Sequence, residues 1–129
     1  MPKTGDAFTI TLKEVHLNWG TKSSKGVRCR SELEVYIPIP IKYARKFDIK
    51  QGAVFDAESS DGFYNHGLLA GGSQGDNYQY GKNFESKGDL EKLGEWLKDY
   101  CKAEPGDKVE VRWTSPNKVR LTHIPKKIK

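Results

Sequence analysis

The pattern of apolar and polar positions predicts a chain of short strands. Phe8, Ile10 and Leu12 alternate with threonines, a period of two that is typical of a half-buried strand. Similar stretches recur, and turn-forming glycine, serine, aspartate and proline residues separate them. Many short antiparallel strands at this spacing predict a closed or nearly closed barrel. We expect seven strands, at residues 7–17, 33–39, 53–57, 62–70, 77–82, 108–114 and 119–124.

Two other stretches have the period of a helix. Apolar side chains at positions 41, 44 and 47 predict a helix of one or two turns over residues 41–47. A second apolar stripe predicts a helix that ends near Tyr100, and either Ser86 or Asp89 can cap its N-terminus. We assign Trp96 and Trp113 to the core. The expected fold is therefore mainly β with two short helices.

Proline marks where the second strand must end. In the stretch Tyr36-Ile37-Pro38-Ile39-Pro40, each proline lacks the N–H that a central strand needs. The strand must therefore lie at an edge of the sheet or leave it there. The residues before this strand, 22–30, contain four positive charges and a glycine. A basic arm attached to a stiff strand is suited to a polyanionic partner.

Length and composition favour a single globular domain over residues 1–129. The net charge is +5, and residues 1–30 hold six Lys or Arg against two acidic residues, which favours an anionic partner. No apolar run approaches the roughly 18 residues that a membrane span needs, and no signal peptide is recognisable. Two distant cysteines predict neither a disulfide framework nor a zinc finger, so we expect a reduced, cytoplasmic location.

Motifs for catalysis are weak. The chain has no nucleophile elbow, no phosphate-cradling loop and no dinucleotide fingerprint, and the histidines at 16, 66 and 123 lack metal-ligand spacing. Asp48-Ile49-Lys50 matches half of a metal-dependent nuclease site, but no second carboxylate is evident beside it. We expect no catalytic residue, no metal and no cofactor.

The basic arm has the chemistry for duplex DNA. Arg28 and Arg30 can bind guanine edges, and Lys22 and Lys25 can neutralise phosphates. Ser23 and Ser24 can bond either a phosphate or a base edge. Trp19 can pack on the sugar-phosphate backbone or anchor the arm in the core. The alternative is a solvated hairpin loop whose charge only keeps the protein soluble.

A second loop, residues 79–88, carries amide, hydroxyl and lysine groups between a predicted strand and the second helix. Amides match adenine edges, and serine and lysine match phosphates. An ordinary strand-to-helix connection would contain much the same amino acids. The candidate contacts here are Gln79, Lys82, Asn83, Ser86 and Lys87.

The order of three features resembles a known family. Glu34–Pro40, the helix core Leu93-Gly94-Glu95-Trp96-Leu97 and the turn Pro105-Gly106-Asp107 are similar to the C-terminal DNA-recognition domain of NgoFVII-type restriction endonucleases. The resemblance spans roughly residues 30–124. It implies a B3-like fold, a seven-stranded open pseudobarrel with two short helices. The second arm departs from the family pattern at residues 85–89, so the family's sequence preference does not transfer.

The resemblance implies a recognition module without a nuclease. In that superfamily two arms grip the major groove, and they correspond here to residues 18–31 and 79–88. The family's catalytic domain is not part of this chain, so a separate nuclease subunit is the implied catalytic partner. We expect a non-catalytic, sequence-selective binder of double-stranded DNA. The alternative is a small barrel that binds another anion or a protein partner without DNA specificity.

Overall fold

The computed structural model describes residues 2–13, 35–89 and 91–126. In these residues it has seven strands and two short helices, so the mainly β class is confirmed. The strands are β1 (Ala7–Thr11), β2 (Ile37–Pro38), β3 (Val54–Ser59), β4 (Leu68–Gly71), β5 (Asn83–Ser86), β6 (Lys108–Ser115) and β7 (Lys118–Ile124). The helices are α1 (Ile41–Phe47) and α2, an α-helical turn Lys92–Gly94 that continues as the π-helical segment Glu95–Tyr100.

One mixed sheet contains all seven of these strands, in the order β1-β6-β7-β3-β4-β5-β2. Neighbouring strands are antiparallel except β3 and β7, which are parallel from Asp56 opposite Lys118 to Ser59 opposite Leu121. The expectation of antiparallel strands throughout was therefore wrong for one pair. The sheet is not closed by hydrogen bonds among the described residues, because β1 and β2 lie at its two edges.

Most predicted elements are present, and one is misplaced. Residues 77–82 do not form the fifth strand: a 3-10 turn occupies Asp76–Tyr78, and the strand lies at Asn83–Ser86. Asn77 and Tyr78 have positive φ angles of 57° and 52°, a left-handed conformation that no strand can contain. The fourth strand is also shorter than predicted, because a turn at Asp61 and Gly62 precedes it.

The core is built around Trp113. This residue is fully buried, and the rings of Phe8, Phe47, Phe55 and Phe84 lie 5.5–6.2 Å from its ring. Trp96 is equally buried and donates its indole N–H to Asp61 Oδ2 at 2.8 Å. The assignment of both tryptophans to the core is therefore confirmed. In the described part of the chain, no helix is long and apolar enough to cross a bilayer.

Candidate nucleic-acid interface

The first predicted arm falls outside the described residues. Its candidate contacts therefore stay predictions; they are Trp19, Lys22, Ser23, Ser24, Lys25, Arg28 and Arg30. What the structure describes is where this segment joins the fold. Lys13 follows β1 on one side, and Val35, a buried residue, precedes β2 on the other. The arm thus connects the two edge strands of the sheet.

The second predicted arm contains a strand, so its description as a loop was wrong. β5 occupies Asn83–Ser86 and is paired with β4 on one side and β2 on the other. Ile37 of β2 is opposite Phe84, and the Ile39 N–H donates to Lys82 O at 2.8 Å. The end of β2 and the second arm therefore share one ladder of hydrogen bonds.

Exposed polar groups flank β5. Lys82 and Lys87 are exposed, and Asn83 is half-buried on the outward face of the strand. Lys82 and Asn83 lie beside Gly72, where a Cβ would come within 3.1 Å of Lys82 Cβ. Within the described ranges, none of these three side chains makes a hydrogen bond or ion pair. Their polar ends are available to a ligand.

Gln79 is engaged within the fold. Its side-chain Oε1 accepts a hydrogen bond from Lys50 Nζ at 2.7 Å, and its backbone carbonyl accepts one from the Gln51 N–H at 2.8 Å. Lys50 also pairs with Asp48 at 3.0 Å and lies 5.0 Å from the centre of the Tyr80 ring. Gln79 therefore joins the second arm to the segment after α1, and a contact of its Oε1 with DNA would compete with this hydrogen bond.

Ser86 has an internal role. Its side chain is fully buried, and its hydroxyl accepts the Leu93 N–H at 2.7 Å and shares a hydrogen bond of 3.3 Å with the Tyr64 hydroxyl. Burial raises the pKa of Tyr64 to about 12, so this hydroxyl stays protonated. Ser86 thus satisfies an unpaired N–H at the start of α2, as a capping residue does. In this conformation it is not available to a phosphate, which corrects its place among the DNA contacts.

We expect Ser86→Ala to lower the free energy of unfolding by about 1–2 kcal/mol, because it leaves a buried N–H without an acceptor. Urea denaturation measures this change. Ser73→Ala is the control, since Ser73 is exposed and should change stability by less than about 0.5 kcal/mol. Unchanged stability together with weakened DNA binding in Ser86→Ala would restore this residue to the interface.

Gln74 is a structural residue that the sequence patterns did not indicate. Its side-chain Nε2 donates to Ile39 O and to Gly81 O, both at 2.7 Å. The contact with Ile39 crosses 35 positions of the chain, and no local pattern indicates it. Gln74 thus fastens the end of β2 to the start of the second arm, in addition to the ladder between β2 and β5.

The half-motif of a nuclease is not part of a larger cluster of metal-binding side chains in the described part of the chain. Asp48 and Lys50 form an ion pair with each other at 3.0 Å. Among residues 2–13, 35–89 and 91–126, no group of three or more His, Cys, Asp or Glu side chains is placed to hold a metal ion. We therefore base no activity on Asp48.

Neither a protein-family model nor any curated protein matches this chain.

Proposed function

We propose that this protein is a non-catalytic module that binds double-stranded DNA with sequence selectivity, reading the major groove with two arms on a B3-like pseudobarrel. The observation that carries the proposal is the pairing of β2 with β5. The basic segment before β2 and the polar segment around β5 were inferred separately as DNA contacts. The pairing of β2 with β5 brings the start of β2, where the basic segment joins the fold, beside the polar segment at one edge of the sheet.

Chain length limits how far Arg30 can lie from the start of β2. Arg30 is five residues before Val35, a separation that spans at most about 18 Å. Because β2 runs antiparallel to β5, the start of β2 lies toward the end of β5 that leads into Lys87. Arg28 and Arg30 are therefore the expected base readers on this side, with Lys87 as a phosphate contact.

The two edge strands support a pseudobarrel. Thr9 and Thr11 of β1 line the same groove as Pro38 and Pro40, with a volume of about 410 Å³. This shared groove supports our proposal of an open pseudobarrel, a sheet that curls until its two edges face each other. Pro38 cannot donate a ladder hydrogen bond, which gives a physical reason for the open seam.

A protein-binding barrel is the second candidate. Phe63 and Tyr100 are 48% and 51% exposed, and their rings stack at a centroid distance of 4.5 Å. An exposed aromatic pair is typical of protein contact surfaces. This reading predicts binding that depends little on salt and no preference among DNA sequences.

Selection from a pool of random DNA duplexes tests the proposal. At roughly 150 mM salt, where phosphate attraction is partly screened, we expect recovery of a motif of several base pairs. Recovery of bulk DNA without a motif would contradict sequence selectivity. Recovery of no DNA would favour the protein-binding barrel. If the module serves a restriction system, catalysis comes from a separate nuclease subunit, and the purified chain leaves the selected duplex uncut.

Two substitutions in the second arm should have different effects on binding to the selected duplex. Asn83→Ala should reduce discrimination at one base pair by about 1–3 kcal/mol, because an amide reads adenine through two hydrogen bonds. Lys82→Ala should weaken binding to all sequences alike and lower the salt slope by about 0.9, the effect of one phosphate contact. Fluorescence anisotropy over a salt series measures both.

Lys118→Ala is the matched control for Lys82→Ala. Lys118 is an exposed lysine at the start of β7, three positions from β5 in the strand order, and its removal changes the net charge equally. If both variants bind alike, the second arm does not contact DNA through Lys82.

A further inference from the structure

Three lysines recur at every fourth position after β2. Lys42 and Lys46 lie on α1, and Lys50 follows it; all three are exposed, and we call them the lysine row. Each ammonium lies over an aromatic ring: Lys42 at 4.9 Å from the Tyr43 centroid, Lys46 at 5.8 Å from Phe47 and Lys50 at 5.0 Å from Tyr80. Stacking of this kind holds the charged head group at the surface.

The charge of the lysine row is largely uncompensated. Asp48 is the only acidic residue among positions 41–50, and it pairs with Lys50 at 3.0 Å. In the described part of the chain, Lys42 and Lys46 make no ion pair. Two lysines four residues apart on a helix repel each other, so the arrangement is unfavourable without an anion nearby.

The lysine row lies beside the end of β2 and the start of the second arm. α1 begins directly after Pro40, where the β2 segment ends. At the other end, Lys50 Nζ donates to Gln79 Oε1 at 2.7 Å, and the Gly81 N–H donates to Ile49 O at 3.0 Å. The row therefore runs from the end of the β2 segment to the start of the second arm.

We propose that the lysine row is a phosphate-binding face that contacts the backbone of the same DNA duplex beside the two arms. This inference rests on the proposed function. Lysine is a point charge that suits phosphate oxygens, and exposed lysines beside the second arm suit the backbone of a polyanion. Because the rings already restrict the three ammonium groups, binding a phosphate immobilises less side-chain freedom than it would for an unsupported lysine. Such contacts raise affinity for every sequence and carry no base preference.

The double variant Lys42→Gln/Lys46→Gln tests this role and keeps much of each aliphatic stem. We expect the slope of log K against log salt to fall by about 1.8, since each phosphate contact contributes about 0.9. At roughly 0.15 M salt, affinity should fall about 30-fold, which follows from that slope if the two variants converge near 1 M salt. The preference among sequences should stay the same. Anisotropy titrations with the selected duplex and with a scrambled duplex measure all three quantities.

The control variant is Lys3→Gln/Lys118→Gln, which removes the same charge from exposed lysines before β1 and at the start of β7. Its slope should stay close to that of the unsubstituted protein, and thermal unfolding should show that both variants are folded. An equal fall in the salt slope for both double variants would mean that only the net charge matters. An unchanged salt slope for Lys42→Gln/Lys46→Gln would mean that the lysine row makes no phosphate contact. Either result overturns the inference while leaving the proposed function intact. If the unsubstituted protein binds neither duplex, the proposed function itself fails.

Discussion

Replacement of Asp107 with alanine is expected to lower the free energy of unfolding by about 2–3 kcal/mol, because it leaves three partly buried donors without their acceptor. Asp107 is only 4% exposed. Its Oδ2 accepts hydrogen bonds from His123 Nε2 at 2.8 Å and from the Glu104 N–H at 3.1 Å, and its Oδ1 accepts the Lys126 N–H at 3.0 Å. One carboxylate thus joins the turn before β6 to the end of β7.

The effect of Asp107→Ala should depend on pH. Burial opposes the charge of this carboxyl, but hydrogen bonds from Lys126, Glu104 and His123 outweigh burial and lower its pKa below the ordinary value of 3.8. A carboxyl whose pKa is lower in the folded state binds fewer protons there than in the unfolded state. Its stabilisation is therefore complete above pH 3.8 and is lost as the pH falls through the folded-state pKa.

Urea denaturation of the unsubstituted protein and of Asp107→Ala, from neutral pH down to about pH 2, measures this dependence. The difference in unfolding free energy should be largest at neutral pH and should shrink in the acid range. Asp99→Ala is the control, because Asp99 is exposed on α2 and should change stability by less than about 0.5 kcal/mol. A difference that does not vary with pH would exclude the ionised carboxylate as the source of stability.

The second large effect is expected at Gly81, the residue before Lys82. A Cβ at this position would lie 2.6 Å from Ala70 Cβ and 3.3 Å from the Ala70 backbone. Both residues are buried, so neither neighbour can move into solvent. Gly81→Ala should therefore force β4 and the start of the second arm apart and lower the free energy of unfolding by about 2–3 kcal/mol.

A double-mutant cycle identifies the cause. Ala70→Gly removes the methyl group that the new Cβ would meet, so the double variant Ala70→Gly/Gly81→Ala should recover part of the lost stability. Gly88→Ala is the control: Gly88 has a φ of +85° but no atom near the added Cβ, so only backbone strain of about 1 kcal/mol is expected, and Ala70→Gly should not relieve it. Strictly additive effects of the Ala70 and Gly81 substitutions would exclude the clash.

Gly81→Ala also connects stability to the proposed function. Gly81 donates its N–H to Ile49 O and accepts a hydrogen bond from Gln74, so a shift at this residue would move Lys82 and Asn83. We expect weaker duplex binding in Gly81→Ala under conditions where the variant is still folded, and recovery in the double variant. The loss and recovery of duplex binding would then depend on the position of the second arm and not on the loss of a direct contact between residue 81 and DNA.

Local sequence patterns predicted much of the fold. The helix at residues 41–47 was confirmed with its bounds, and β6 and β7 were confirmed to within one residue. These elements have strong periodicity, and turn residues such as Pro105-Gly106 mark where they begin or end. Trp96 and Trp113 were assigned correctly to the core, because large aromatic side chains within an apolar pattern are usually buried.

The candidate site was less predictable than the fold. Residues 77–82 and 83–86 both have strand-like composition, and only the pairing of β5 with β4 and β2 selects the second. The same pairing turns Ser86 inward toward Leu93 and Tyr64. The sequence allowed both a helix cap and a phosphate contact for this residue, and only the tertiary structure distinguishes the two. Gln74 contacts Ile39 across 35 positions of the chain, and Lys50 contacts Gln79 across 29. No local pattern predicts contacts between residues so far apart.

The sequence by itself determined the elements whose cause is local: the end of β2 at two prolines, the helical stripes, the turns, and the excess of positive charge before β2. The tertiary structure alone decided which strands are neighbours, including the parallel pair of β3 with β7, and which polar side chains remain available beside β5. The physical reason is that strand pairing and burial depend on residues far apart in the chain, whereas propensity and periodicity act only between near neighbours.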